Sequence, residues 1–216
     1  MNLFTYKTKK VLRFRYRVVL LASVFLLLLV FAKPIMIAVA DYLHVPSSTE
    51  HCDVLIVQAG SSIGDYVMRE ALKVYERGQV DRLIVVLHAF DLEPAIFAIP
   101  NYRRLVIQAL DSLNVPKRDY EVLFIPLDDP YTYNSALALA DTLQDVHSIL
   151  LFNDNFHIRR SYLTYKKVFE KHNITVRPYA MPIYLNSRNW WRSANGWRRV
   201  VDEYIKLTFY WINGYI

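Results

Sequence analysis

Five short apolar runs after residue 51 constrain the fold more than any other feature of the sequence. They are CDVLIVQAG (52–60), RLIVVL (82–87), EVLFIP (121–126), SILLF (148–152) and ITVRPY (174–179). None shows a sustained alternation of apolar and polar residues, so each predicts a strand that is buried on both faces, as in parallel sheets. The stretches between them have helical apolar spacing, as at Val67, Ala71 and Tyr75. The sequence therefore predicts an α/β fold with a doubly wound, mostly parallel five-stranded sheet of Rossmann-like type.

A long apolar segment near the N-terminus predicts one transmembrane helix. VVLLASVFLLLLVFA (18–32) contains no charged residue, and KPIMIAVA extends the apolar character to Ala40. As a helix, the 23 residues of 18–40 are about 35 Å long, enough to cross a hydrocarbon core of about 30 Å. The small residues AVA at 38–40 leave a cleaved signal peptide as the alternative. The uninterrupted leucine-rich core favours a retained anchor.

The distribution of charged residues supports the same division of the chain into an N-terminal anchor and a following domain. Six positive residues precede the apolar segment, which predicts a cytoplasmic N-terminus and a domain on the far side of the membrane. The predicted organisation is a basic cytoplasmic segment (1–17), a transmembrane anchor (18–40), a linker (41–51) and an α/β domain with an aromatic C-terminal helix (52–216).

The charge distribution also excludes classes of partner. The whole chain has a formal charge of +6, but the first 40 residues hold seven positive and no acidic residues, so the remainder carries −1. A domain with no positive surplus is poorly suited to phosphate backbones, and no nucleic-acid partner is predicted. Cys52, the only cysteine, closes no intrachain disulfide, and no Cys/His spacing predicts a metal site.

The segment NDNFHIRR (153–160) follows the fourth predicted strand. In doubly wound folds, ligands bind beyond the carboxyl ends of the strands, near helix N-termini. His157 and Arg160 are three residues apart and Ser161 follows, so the three share one face at the start of a helix. The helix start offers free N–H groups and a positive end. We predict a small anion site in which His157 is general acid or base and Arg160 clamps the anion, as the candidate catalytic residues.

Three further loops are expected at the same edge of the sheet: QAGSS (58–62), HAFD (88–91) and PLDDPYTYN (126–134). Asp129 is predicted to cap the helix that follows, with Pro130 at its first position. The alternative for Arg159 or Arg160 is simple pairing with Asp128, Asp129 or Asp154 at the edge of the sheet. The remaining candidate ligand-binding residues are Gly60, Ser61, Ser62, Asp129, Thr132, Asn134 and Asn153.

The sequence specifies no cofactor and no reaction class. The loop after the first strand has one glycine where a dinucleotide fingerprint needs three, and neither a GK[ST] phosphate loop nor a G-x-S-x-G elbow occurs.

Several of these segments together resemble the YdcF/SanA/ElyC-type family of bacterial envelope proteins. NFHIRRS is similar to a family motif after the fourth strand and retains Phe156, His157, Arg160 and Ser161. Thr132 and Ala136 match a second family motif, and Glu203 and Lys206 match the family's C-terminal tail. The chain departs from the family pattern after the first strand and at two positions of the second motif, where it has Asn134 and Ser135.

The resemblance implies a Rossmann-like domain behind one membrane helix. It also implies a single-pass protein of the bacterial inner or plasma membrane, with its domain facing the periplasm or cell exterior. The implied role is in peptidoglycan or surface-polysaccharide biogenesis, with a small anionic or nucleotide-like ligand such as an envelope precursor. The alternative is a non-catalytic assembly scaffold with a degenerate ligand site. The resemblance names no protein partner.

Aromatic residues are concentrated at the C-terminus. All four tryptophans lie in the last 27 residues, close to Arg188, Arg192, Arg198 and Arg199. Tryptophan and arginine suit a membrane–water interface with anionic headgroups. Packing of the final helix on the sheet is the favoured alternative, because the sheet needs its faces covered.

Overall fold

The computed structural model describes residues 14–58, 65–89, 99–126, 129–143 and 145–216. Five parallel strands form one sheet in the order β3-β2-β1-β4-β5. The strands are β1 (Cys52–Gln58), β2 (Val80–Ala89), β3 (Tyr120–Pro126), β4 (Ser148–Asp154) and β5 (Thr175–Met181). The α-helices are α1 (Phe14–Leu43), α2 (Asp65–Glu76), α3 (Ile99–Ser112), α4 (Tyr131–Thr142), α5 (Ile158–Glu170) and α6 (Ala194–Ile212). The predicted α/β fold with a five-stranded parallel sheet is confirmed.

Apolar side chains cover both faces of the sheet. On one face, Leu55 and Val57 of β1 pack in a cluster with residues of α2 and α3. On the other face, Val54 and Ile56 pack with residues of α4 and α5. Burial of successive residues on opposite faces is why the strands read as continuous apolar runs in the sequence.

The chain order reverses between β1 and β4, which are neighbours in the sheet. The helices that follow β1 and β4 lie on opposite faces. Such a switch point is where open α/β sheets bind ligands, beyond the carboxyl ends of the strands. β4 continues to Asp154, two residues past the predicted run, and α5 begins at Ile158. The start of α5 is therefore held at this edge of the sheet.

Among the described residues, α1 alone is long and apolar enough to cross a membrane. It continues through Leu43, so the predicted linker, 41–51, begins three residues too early. Burial explains the extension, because Ala40 and Leu43 pack with Phe156, Trp190 and other apolar residues of the domain. The remaining linker lies along β5, where Ser48 N–H donates to the Pro178 carbonyl at 2.8 Å.

The predicted cap of α4 is wrong. Pro130 occupies the position before the first helical residue and Asp129 is exposed, with no side-chain cap. The backbone N–H of Thr132 instead donates to the hydroxyl of Tyr210 in α6, at 3.1 Å. A distant tyrosine thus supplies the acceptor that a local cap normally provides.

The start of α6 packs closely on a short 3-10 helix, Trp190–Arg192. A Cβ atom added at Gly196 would lie 2.7 Å from the carbonyl carbon of Trp190. These are backbone atoms, so the contact cannot be relieved by rotating a side chain. The Ser193 hydroxyl accepts the N–H of Gly196 at 3.1 Å and caps the helix.

Gly196→Ala is expected to lower the free energy of unfolding by about 1–3 kcal/mol, the usual cost of overpacking. Thermal unfolding of the full chain in detergent micelles measures the effect. Ala194→Ser, at an exposed position two residues earlier, is the matched control and should leave the melting temperature nearly unchanged. Equal melting temperatures for the two variants would contradict the close packing.

Candidate functional site

The carboxylate of Asp154 holds the turn that leads into α5. Its Oδ1 accepts the backbone N–H groups of Phe156 at 3.0 Å and His157 at 3.3 Å. Its Oδ2 accepts a hydrogen bond from Arg199 of α6 at 2.8 Å. α5 itself begins at Ile158 and has no side-chain cap, so Asp154 orders the approach to the helix rather than its first N–H groups.

Arg160 lies inside the protein, with 6% of its surface exposed. Its Nε and Nη2 donate to the two oxygens of Glu203 at 3.0 and 3.2 Å, which is a side-on, bidentate pair. Its Nη1 donates to Thr132 Oγ1 at 2.8 Å, and its guanidinium lies over the ring of Tyr210. The predicted anion clamp therefore holds a carboxylate of the protein itself and joins α4, α5 and α6.

His157 has protein partners at both ring nitrogens. Nδ1 lies 2.8 Å from Arg160 Nη2 and 3.2 Å from Glu203 Oε2, and Nε2 lies 2.8 Å from Ser161 Oγ. The guanidinium can only donate. Where it donates to Nδ1, the neutral imidazole carries its proton on Nε2 and donates to Ser161. Where Nδ1–H donates to Glu203 instead, Nε2 accepts the Ser161 hydroxyl.

The second tautomer gives the order Ser161–His157–Glu203 found in hydrolytic triads. A nucleophile must reach its substrate, whereas Ser161 is 0% exposed. In this conformation, Ser161 therefore orients the imidazole and does not act as a nucleophile. We call the five residues that meet here the ion cluster: Thr132, His157, Arg160, Ser161 and Glu203.

Glu203 provides the negative charge of the ion cluster. Burial by itself raises the pKa of its carboxyl, but His157 and Arg160 outweigh burial through charge and hydrogen bonds and hold that pKa well below its usual range. Lys206 adds a second permanent positive charge, with Nζ 3.7 Å from Glu203 Oε1. Glu203 is ionised at neutral pH and fixes the two α5 side chains in place.

A cleft of about 390 Å³ opens between the start of α5 and α6. We call it the α6 cleft; its lining residues are Asp154, Phe156, His157, Asn195, Arg198, Arg199, Asp202, Glu203 and Lys206. His157 and Glu203 belong to both the cleft and the ion cluster. Three of the lining residues are permanent cations, and Arg198 and Lys206 are exposed. Three carboxylates, Asp154, Asp202 and Glu203, line it as well, so cations and carboxylates are equal in number beside the predicted histidine.

Arg159, next to Arg160, has a different role. It donates to the carbonyl oxygens of Tyr42 and His44, at the end of α1, and its guanidinium lies 4.4 Å from the centroid of the Tyr42 ring. A cation at the C-terminal end of a helix also interacts favourably with the negative end of the helix dipole. The expected pairing of Arg159 or Arg160 with Asp129 or Asp154 is wrong, because the described acidic partner of Arg160 is Glu203 and Asp154 binds Arg199. Asp128 lies outside the described residues.

The other predicted residues fall into separate groups. Asn153, buried at the end of β4, donates to Gln58 of β1 at 2.8 Å, and Gln58 donates in turn to the Tyr165 hydroxyl. Asp129 is exposed and Asn134 is half-buried in the first turn of α4. Gly60, Ser61 and Ser62 lie outside the described residues. Within the described part of the chain, no group of three His, Cys, Asp or Glu side chains could hold a metal ion.

Glu203 and Tyr210 were not among the predicted site residues. Both lie on the buried face of α6, with Gly196, Val200 and Leu207. A signal was present, since an acidic residue on the apolar side of an amphipathic helix requires a partner when it is buried. The sequence does not show which helix supplies that partner.

Glu203→Gln should lower the free energy of unfolding by about 3–5 kcal/mol at neutral pH, because Arg160 stays buried without its counter-ion. The folded-state pKa of Glu203 is depressed, so the unfolded chain takes up the proton as pH falls. The contribution of Glu203 is thus fully present above a pH of about 4.3 and is lost at lower pH. The difference between wild type and variant should shrink on acidification, as measured by unfolding at a series of pH values. Asp202→Asn, at the exposed neighbouring position, is the control.

The two adjacent arginines provide a second comparison. Arg160→Ala leaves the Glu203 carboxylate buried and unpaired, so we expect a loss of about 3–5 kcal/mol in unfolding free energy. Arg159→Ala removes partly exposed contacts with carbonyl oxygens, and about 1 kcal/mol or less is expected. Unfolding of both full-length variants in the same detergent measures the difference. Equal losses would contradict the assignment of Arg160 to the interior pair.

The chain matches no protein-family model, and no curated protein shows significant similarity to it. The similarity of NFHIRRS to the envelope-family motif therefore stays a prediction that rests on the residues themselves.

Proposed function

We propose that this chain is a membrane-anchored protein of the bacterial cell envelope whose α/β domain binds a small anionic ligand in the α6 cleft. The observation that carries the proposal is the α6 cleft itself, where three cationic and three acidic side chains line about 390 Å³ beside His157 and two of the cations, Arg198 and Lys206, are exposed. Its size falls within the range of about 300–1,000 Å³ that is usual for small-molecule sites.

The charges of the α6 cleft favour a phosphate or carboxylate group. Arg199 is bound to Asp154, and Lys206 lies 3.7 Å from Glu203, at the long end of an ion pair. The Lys206 side chain is 53% exposed and can turn toward a ligand. Arg198 donates to Asn195 at 3.1 Å and is also exposed. Arg198 and Lys206 are thus the groups best placed to bind an anion.

Two features support the envelope location. α1 has the length and composition of a membrane-spanning helix, and six positive residues precede the predicted span, which favours a cytoplasmic N-terminus. The similarity of the residues around His157 to the YdcF/SanA/ElyC motif supports a role in peptidoglycan or surface-polysaccharide biogenesis. A nucleotide-like or sugar-phosphate precursor fits the volume of the α6 cleft and its two exposed cations, Arg198 and Lys206.

The ion cluster favours a second candidate, a non-catalytic assembly scaffold. Both ring nitrogens of His157 and the guanidinium of Arg160 already have protein partners. Acid–base catalysis by His157 requires release of one ring nitrogen, for example from Ser161. A satisfied cluster of this kind serves equally well to fix α5 against α6. The α6 cleft can therefore bind a ligand without catalysis by His157, and binding is the function that we propose.

Thermal unfolding of the full-length protein in detergent tests the proposal, because a ligand that binds only the folded state raises the melting temperature. The probes are inorganic phosphate, adenosine nucleotides, S-adenosylmethionine and sugar phosphates. We expect at least one phosphate-bearing probe to raise the melting temperature. The double variant R198A/K206A should weaken that binding by about 10-fold or more, since each charged hydrogen bond contributes about 1.5–3 kcal/mol.

Arg192→Ala is the matched control, because Arg192 is an exposed arginine just before α6 that does not line the α6 cleft. It should bind the ligand as the wild type does. A full shift in R198A/K206A would place the ligand elsewhere, and no shift with any probe would favour the scaffold.

A further inference from the structure

One face of α6 is apolar and exposed. Trp197, Val201, Ile205, Phe209 and Ile212 are each between 45% and 69% exposed. They recur every three or four residues and so form a single stripe along the helix. We call these five residues the α6 stripe. None of the five belongs to the buried residues of α6 or to the residues that line the α6 cleft.

The α6 stripe lies directly beside α1. Tyr204, adjacent in sequence to Ile205, donates to the carbonyl oxygen of Val39 at 2.7 Å and stacks on Tyr42. At the start of the stripe, the ring of Trp197 lies 4.8 Å from that of Trp190, which donates through Nε1 to the Met36 carbonyl at 2.9 Å. The stripe is therefore continuous with the last turns of α1.

Those turns of α1 lie at the expected membrane surface. A span of about 20 residues crosses the hydrocarbon core, so a segment that begins at Val18 leaves the core between Met36 and Val39. The domain touches α1 at these same two residues. The part of the domain that carries Trp190 and Tyr204 is therefore held next to the expected membrane surface.

The composition around the α6 stripe fits lipid better than protein. An exposed apolar patch of this kind marks an interaction surface, and tryptophan is the side chain most typical of the lipid headgroup region. Three exposed arginines flank the stripe in sequence: Arg188, Arg192 and Arg198. Their charge complements anionic headgroups.

We propose that the α6 stripe lies in the lipid–water interface of the membrane that α1 crosses, so that α6 is a second, in-plane membrane contact. The proposal rests on α1 crossing a membrane, and it is independent of any ligand in the α6 cleft. An amphipathic helix in this position buries its apolar face by about 5–10 Å.

The single native cysteine is fully buried, which permits labelling at one introduced position. The full-length variants I205C and K117C, each carrying an environment-sensitive fluorophore, are reconstituted in vesicles of phosphatidylcholine and phosphatidylglycerol. Lys117 is exposed just before β3, at the edge of the sheet opposite β5, to which the chain after α1 is hydrogen-bonded. A nitroxide lipid with its spin label near the headgroup should quench the I205C probe several-fold more than the K117C probe.

Equal quenching of the two probes would overturn the proposal. Weak quenching of I205C together with disulfide cross-linking between copies of unlabelled I205C would also overturn it, because the α6 stripe would then be an interface with a second copy. Melting temperatures close to that of the wild type show that both variants are folded.

Discussion

Arg160 and Glu203 meet in the interior of the protein, where α4, α5 and α6 converge. Neither side chain is stable there alone, because an unpaired charge inside a protein is costly. The pair fixes the start of α5 against α6, positions His157 through both partners, and leaves the α6 cleft on the outer side of the imidazole. Both the ligand proposal and the scaffold alternative therefore depend on this one ion pair.

The sequence was sufficient for the parts of the fold that local patterns determine. The five apolar runs correctly predicted the five strands of the sheet. The three-residue spacing of His157 and Arg160 correctly predicted that their side chains lie together. The cap of α4 and the end of α1 were not predictable locally, because Tyr210 and the packing of Leu43 decide them from elsewhere in the chain. Glu203 was missed for the same reason, since it lies 43 residues from Arg160.

The charged residues of the motif FHIRR contact two different parts of the protein. His157 and Arg160 point into the ion cluster, whereas Arg159 holds the carbonyl oxygens at the end of α1. One short segment thus couples the candidate site to the apolar helix α1. Residues that look alike in the sequence differ here in what they contact, and the charge of a motif alone does not identify its ligand.

Residues 44–51 connect α1 to the sheet and are held by hydrogen bonds. Ser47 and Ser48 are hydrogen-bonded to β5, and Arg159 donates to a carbonyl oxygen in the last turn of α1. These hydrogen bonds restrict the connection between α1 and β1, so they oppose movement of the domain away from the end of α1. If α1 crosses a membrane as proposed, a ligand must come within a single domain's width of the lipid surface, by diffusing along that surface or by being delivered there.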